Sequence, residues 1–248
     1  MTQAATERTY AKNDLNTYEG IAEYYDVLMT AGYYDYDELT KDLMEIIGSR
    51  QHVLELGVGT GLVAEGLLKQ NPDLALTGLD NTESMLAQAK ERLGDKIQYE
   101  LQDVTTLALD RNFDASFSVG GCWYFIDHGD RLEFCSHIDA RQTCEESLRR
   151  VVEHLKPGGV LSLALQGPHS DYSKSLNDSL TYSQAIHNEG EGLFTKQYTF
   201  TEDNNVVAEQ FYRYLVVSES EIHSFFDELG CKPHGLNPTR KFFTYQKR

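Results

Sequence analysis

Three glycines at alternate positions, Gly57, Gly59 and Gly61, stand directly behind the apolar run Val53-Leu54-Glu55-Leu56 and ahead of a helix-like stretch over residues 62–69. Glycine lets a backbone approach a ligand with no Cβ in the way and accepts positive φ, so a loop of this composition between strand and helix suits a bound small molecule. The spacing G-x-G-x-G narrows the chemistry. A dinucleotide loop places its third glycine one residue later, and a P-loop needs a Gly-Lys-Ser/Thr that does not follow here. Two carboxylates lie further along at comparable places. Asp80 ends the next apolar run, where its two oxygens can accept both hydroxyls of an adenosine ribose. Gln102-Asp103-Val104 follows the run after that and offers a carboxylate for an exocyclic amine beside a backbone amide for a ring nitrogen, the polar edge of an adenine. Each residue also has a plainer reading: Asp80 starting a helix, Met85 as core, Asp114 capping a turn.

These groups must be positioned by alternating elements. From about residue 35 to 165, apolar runs of strand length alternate with amphipathic stretches of helix length, the pattern of a parallel sheet covered by helices. The strands read as residues 53–56, 74–79, 97–101, 113–119 and 160–166; the helices as 37–48, 62–69, a segment capped by Asn81 and Thr82, and 141–155. Met85, Leu86, Ala89 and Leu93 share one face of the capped helix. Lys156-Pro157-Gly158-Gly159 is a strong helix stop. Beyond residue 166 the period changes to two over residues 194–201 and 206–217, an antiparallel hairpin. A helix at 219–229 and a strand at 241–245 follow. The expected organisation is a tyrosine-rich N-terminal lid over residues 1–36, a core over 37–165, an antiparallel cover over 166–217 and a closing helix and strand over 218–248. The lid holds Tyr10, Tyr18, Tyr24, Tyr25, Tyr33, Tyr34 and Tyr36, and residues 120–138 form a long aromatic connection.

Composition excludes several classes of function. A formal charge of -17 repels a phosphate backbone, and the 22 Lys and Arg are scattered, so nucleic acid is not expected as a partner. No apolar run is long enough to span a bilayer, and residues 1–13 lack the basic start and apolar centre of a secretory signal, so a cytosolic protein with no membrane partner is expected. Cys122, Cys135, Cys144 and Cys231 show neither CxxC spacing nor a compact Cys/His array; free thiols are expected, and no metal site.

Taken in order, Val53-Leu-Glu-Leu-Gly-Val-Gly-Thr-Gly61, Gly78-Leu-Asp80-Asn-Thr-Glu-Ser-Met85-Leu, Asp103-Val104, Phe113-Asp114 and Leu155-Lys-Pro-Gly-Gly159 resemble the motifs of class I S-adenosylmethionine (SAM)-dependent methyltransferases. The match covers roughly residues 40 to 165. The resemblance implies an α/β fold, a Rossmann-like seven-stranded sheet with helices on both faces, carrying here an N-terminal lid and an antiparallel β insertion. It also implies that Glu55 and the loop hold the methionine part of SAM, Asp80 the ribose, Met85 one adenine face, and Asp103-Val104 the adenine edge, with Gly120 near the methionine carboxylate or sulfonium; Asn81 is a further candidate cofactor contact. Tyr24-Tyr25-Asp26 resembles the lid element of small-molecule N-methyltransferases of the glycine and amino-sugar types, whose antiparallel insertion residues 166–217 also resemble.

A sulfonium activates three carbons, so the protein mainly has to align a nucleophile and exclude water. Aromatic faces attract the cation; Tyr24, Tyr25, Trp123, Tyr124, Phe134 and Tyr172 are candidates. His128, His137 and His169 belong to the loops expected around the mouth. Tyr25, Phe134, His169 and Tyr172 are taken as the candidate catalytic set. The leading expectation is methyl transfer to an amine or hydroxyl of a small metabolite. A second is internal attack on Cγ of SAM, giving azetidine-2-carboxylate and methylthioadenosine; a third is a non-catalytic SAM-binding module.

Overall fold

The computed structural model describes residues 18–248, so Tyr10 and the first half of the expected lid lie outside the described residues. The core strands are β1 (His52–Leu56), β2 (Ala75–Asp80), β3 (Gln98–Leu101), β4 (Phe113–Ser118) and β7 (Leu155–Gln166), and they order as β3-β2-β1-β4-β7. All of these neighbours pair in parallel. At residues 160–164, β7 continues to β13 (Phe242–Lys247), which is antiparallel to it and pairs in turn with β12 (Cys231–Leu236). That completes a sheet of seven strands. The helices α2 (Tyr36–Ile47), α3 (Leu62–Gln70) and α4 (Glu83–Leu93) cover one face through a cluster around Leu43, Leu67 and Val53. Helices α5 (Arg141–Glu153) and α6 (Glu219–Glu228) cover the other around Leu148, Leu161 and Phe226.

Local signals set the helix ends. Asp35 caps α2 by accepting from Glu38 N at 3.0 Å, and Ser218 with Glu221 forms a capping box on α6. At α4 the cap differs from expectation: Thr82 occupies the N-cap position, but its hydroxyl donates to Asn81 Oδ1 at 3.1 Å and accepts no bond from the helix amides. The Lys-Pro-Gly-Gly stop ends α5 at Glu153, and β7 starts already at Leu155.

The cover is more ordered than the sequence suggested. Residues 120–138 are no mere connection: they hold a hairpin of β5 (Trp123–Asp127) and β6 (Leu132–Ser136). Beyond the reach of β13, β7 forks, and Leu165 and Gln166 pair with Phe125 and Ile126. From β6 the strands run on through β11 (Asn205–Ser218), β10 (Leu193–Glu202), β9 (Leu180–Gly190) and β8 (Tyr172–Ser175), antiparallel throughout. The expected hairpin is β10–β11, closed by Asp203 and Asn204 at φ +48 and +66, the two positive φ values of a type I′ turn. Helix α1 (Ala22–Thr30) lies against this cover, with Leu28 and Met29 in a third cluster built on Tyr124, Tyr182, Tyr198 and Tyr212.

Candidate functional site

The glycine loop is fixed to the neighbouring strand by its own amides. Gly57 N and Val58 N both donate to Leu79 O, at 2.8 and 2.9 Å, and Gly59 N donates to Asp80 Oδ2 at 2.8 Å. The other oxygen of Asp80 accepts from Thr82 N at 2.9 Å. Asn81 N and the Thr82 side chain also bond this carboxylate. Gly57 sits at φ +77, and a Cβ there would stand 2.9 Å from Gly121 Cα, so this position needs glycine for both conformation and space. Gly61, at φ +82, similarly brings the loop onto Leu93 and Ala89 of α4.

Glu55, near the end of β1, is 2% exposed, and its Oε2 has no hydrogen-bond partner. Burial, and then the nearby Asp80 carboxylate, push its pKa well above the ordinary carboxylate range. Burial likewise raises that of Asp80, against the backbone amides that lower it. A buried, unsatisfied acid beside a second acid is costly by itself and is relieved by a cation. SAM carries two, an ammonium and a sulfonium, so the residues fit it.

Below the loop, a cleft of about 550 Å³ is lined by Gly57, Asp80, Asn81, Asp103, Val104 and Gly121, with Tyr18 and His137 on the cover side. Asp103 uses Oδ1 to cap the following turn at Thr105 N, 2.8 Å away. Of the expected nucleoside ligands, Met85 stands apart: it is 2% exposed inside α4 and does not line the cleft, whereas Asn81 does. Asp114 lies at the opposite end of the sheet, holding His52 N and Lys156 Nζ at 2.9 and 2.7 Å.

The lid is tied to this loop. Asp26 of α1 accepts from the Thr60 hydroxyl and from the Arg92 guanidinium, while Arg92 Nε donates to Thr60 O at 2.9 Å. The Tyr25 ring lies 3.9 Å from where a Cβ on Gly59 would stand. With Tyr18, Tyr33, Tyr34, Tyr198 and Tyr212 it walls a cavity of about 20 Å³ that also touches Gly120 and Gln166. That is room for one water or one methyl-sized group. Behind Tyr33, Tyr34 and Gln166 a second cavity, of about 370 Å³, reaches His169, Tyr172 and Lys196. A chain of polar contacts joins the two: Gln166 Nε2 donates to Tyr34 OH at 2.8 Å, and His169 Nε2 lies 3.4 Å from Gln166 Oε1 and 3.3 Å from Tyr124 OH.

The expected catalytic set is therefore dispersed. Tyr25 faces the small cavity, and His169 and Tyr172 face the larger one. Phe134 faces neither: it is fully buried in β6 against Phe125, in the core beneath the cover. Tyr24 stacks on Phe200 at 5.2 Å, against the cover cluster, and Trp123 is fully buried in the same core as Phe134. His128 is bound to Glu133 at 2.9 Å. The sequence reading missed Gly121 as a wall of the cleft and Lys196; an adjacent pair of glycines after β4 was the available signal for the first. No group of His, Cys, Asp and Glu suited to a metal ion occurs among the described residues, and the four cysteines are free. No helix among them is long and apolar enough to cross a membrane.

Fold, loop and paired acids are arranged as in class I SAM-dependent methyltransferases, and residues 54–161 match the family model of a methyltransferase domain. Among sequence relatives, a trans-aconitate 2-methyltransferase of Deinococcus radiodurans is 30% identical over 138 residues, covering 55% of this chain and 46% of the relative. A demethylmenaquinone methyltransferase of Thermotoga maritima is 33% identical over 135 residues, covering 53% and 58%. The chain thus spans about half the length of these relatives. Among solved structures, the CcbJ methyltransferase of Streptomyces caelestis superposes with a TM-score of 0.73 at 18% identity, over 94% of this chain and 98% of that one. A SAM-bound amino pentose methyltransferase of Micromonospora echinaspora gives 0.67 at 18%, over 98% and 100%. The fold likeness thus extends over lid and cover. None of these relatives supports the internal cyclisation of SAM.

Proposed function

We propose that this protein transfers the sulfonium methyl of SAM to an amine or hydroxyl of a small metabolite held beneath the tyrosine cover. The observation that carries this reading is the methyl-sized cavity between Tyr25, Tyr34, Tyr212 and Gly120, which shares Tyr33, Tyr34 and Gln166 as walls with the larger cavity. The covering segments resemble in fold the amino pentose methyltransferase above.

Bound SAM supplies a carbon ready for displacement; the chain supplies alignment. Glu55 receives the cationic end, Asp80 and Asn81 the ribose, and Asp103 with Val104 the adenine. Burial pushes Tyr25, Tyr34, Tyr198 and Tyr212 well above the ordinary phenol range, so their hydroxyls stay protonated and act as hydrogen-bonding groups and ring faces. Burial and the Lys196 charge push His137 and His169 down to about 3, which leaves both neutral at physiological pH. Neither holds a proton taken from an ammonium, so an amine acceptor enters unprotonated and rate comes from proximity.

The test is incubation with SAM and a panel of small amines and hydroxy compounds, followed by mass spectrometry. S-adenosylhomocysteine together with an acceptor heavier by one methyl is the expected result. Methylthioadenosine and azetidine-2-carboxylate from SAM alone would sink it.

A further inference from the structure

We infer that the methyl acceptor carries an anionic group, a carboxylate or a phosphate, and that the ammonium of Lys196 receives it in the cavity behind Tyr33 and Tyr34. This rests on the function proposed above and names the class of its substrate.

Lys196, in β10, is 1% exposed. Its Nζ lies 4.9 Å from the centroid of Tyr198 and 5.8 Å from that of Tyr212, the two rings that wall the methyl-sized cavity on the cover side. Among the described residues no carboxylate stands within ion-pair distance of it. The other lysine lining the larger cavity, Lys241, is by contrast compensated, by Glu38 and by Asp42 at 3.9 Å. The Asp35 carboxylate is on the exposed rim and already accepts from Glu38 N. A buried ammonium without a counter-ion keeps most of its desolvation penalty, and ring faces return only a part. That penalty shows as a pKa lowered by burial to about 8.

A second group in the same cavity lacks a partner. His169 Nδ1 is buried and makes no hydrogen bond. In the tautomer that protonates this nitrogen, Nε2 accepts from the Tyr124 hydroxyl at 3.3 Å and Nδ1–H is left to donate. A charged donor and a neutral donor thus line one cavity that contributes no buried acid of its own. The net charge of -17 does not oppose this at short range, because distant charges are screened beyond about 8 Å at physiological salt.

The experiment uses the full chain saturated with S-adenosylhomocysteine, so that no turnover is needed, at constant ionic strength set by sodium chloride. Inorganic phosphate and, separately, malonate are added and Tm is followed for wild type, Lys196→Met and Lys196→Arg. Binding to the folded state raises Tm. The expected result is a rise in wild type with at least one anion, abolished in Lys196→Met and restored at least in part in Lys196→Arg. A response to phosphate alone assigns a phosphoryl group, and to malonate alone a carboxylate. No rise with either anion, or an equal rise in Lys196→Met, overturns the proposal. If Lys196→Met does not fold, reductive methylation of wild type decides: protection of Lys196 by either anion, with exposed Lys69 unprotected, supports the site, and its absence refutes it. Failure of methyl transfer with every acceptor would remove the proposed function while leaving this anion site intact, so the two outcomes are separable.

Discussion

Removing the Asp26 carboxylate tests whether the lid is part of the SAM site or only lies over it. The side chain takes the Thr60 hydroxyl and the Arg92 guanidinium at once, with side-chain exposures of 30% for Asp26 and 23% for Arg92. A hydrogen bond to a charged group contributes about 1.5–3 kcal/mol, and leaving the Thr60 hydroxyl, 1% exposed as a residue, without its acceptor costs about 1–3 kcal/mol. Arg92 is not stranded, since it keeps Thr60 O at 2.9 Å and Glu65 at 3.9 Å. A total of about 3 kcal/mol for Asp26→Ala is therefore reasonable, and it bears on α1 and the glycine loop together.

If SAM binds the lid-closed state, its apparent Kd rises as the closed fraction falls, up to about 100-fold for about 3 kcal/mol. Asp26→Asn keeps a neutral acceptor for Thr60 and loses a part-exposed ion pair worth about 1 kcal/mol, so about fivefold is expected. Calorimetric titration with S-adenosylhomocysteine measures both, and urea unfolding measures stability in parallel. An Asp26→Ala protein that binds the nucleoside within about twofold of wild type, while losing stability, would show that the latch serves folding alone. Equal losses for Ala and Asn would refute the reasoning about charge.

Further outcomes follow from the buried groups. Glu55→Gln removes the need to bury an acid beside Asp80, so the ligand-free chain should unfold at no lower temperature while SAM affinity falls at least tenfold; a loss of stability with unchanged affinity would contradict the cation-receiving role. Asp80→Ala should weaken SAM binding sharply, by roughly 10- to 100-fold for a lost charge-assisted pair of bonds, and unchanged affinity would refute the ribose assignment. Lys196→Met should stabilise the ligand-free protein by up to about 3 kcal/mol, the value of a pKa lowered from 10.5 to about 8. The folded pKa lies below the unfolded one, so the penalty is complete below pH 8 and disappears between 8 and 10.5; urea midpoints of the two proteins should differ at pH 7 and converge by pH 10.5. His137 and His169 act at the other end: held neutral down to about 3 when folded but protonating near 6.5 when unfolded, each removes about 1.4 kcal/mol per pH unit as pH falls below 6.5. Glu55 and Asp80 titrate in the opposite sense, so the measurement is the difference from His169→Asn: unfolding midpoints of the two proteins that move in parallel between pH 6.5 and 4.5 would show that the His169 ring is hydrated.

The cleft proposed for the nucleoside was legible because its parts are local in the chain. A glycine loop must follow a strand and precede a helix, and Asp80 and Asp103 each end a run whose period is plain. The structure brings Gly57, Asp80 and Asp103 to one cleft because three adjacent parallel strands end on the same edge. Met85 does not line that cleft: the helical face it shares with Leu86 and Ala89 is buried, and residue type alone does not say whether a methionine there meets ligand or core. In the cover, Leu180, Tyr182 and Gln184 alternate inward as a strand should, so the signal for β9 was present at period two. The run Trp123-Tyr124-Phe125-Ile126 gave none, since a strand buried on both faces has no alternation to read.

Phe134 and Lys196 show why the acceptor half was harder. Phe134 is opposite Val217 in register and therefore looks into the core, while its neighbour Cys135 looks into the cover. Slipping that register by one residue would exchange them, and nothing local fixes the register. Lys196, between Thr195 and Gln197, reads as a solvated polar position. Only the pairing that sets it directly across from Tyr212, with Tyr198 two residues along on the same face, turns it inward. The proposed SAM cleft is thus written in short segments of sequence, whereas the proposed acceptor cavity depends on which strands meet, and that becomes visible only once β6, β10 and β11 are paired.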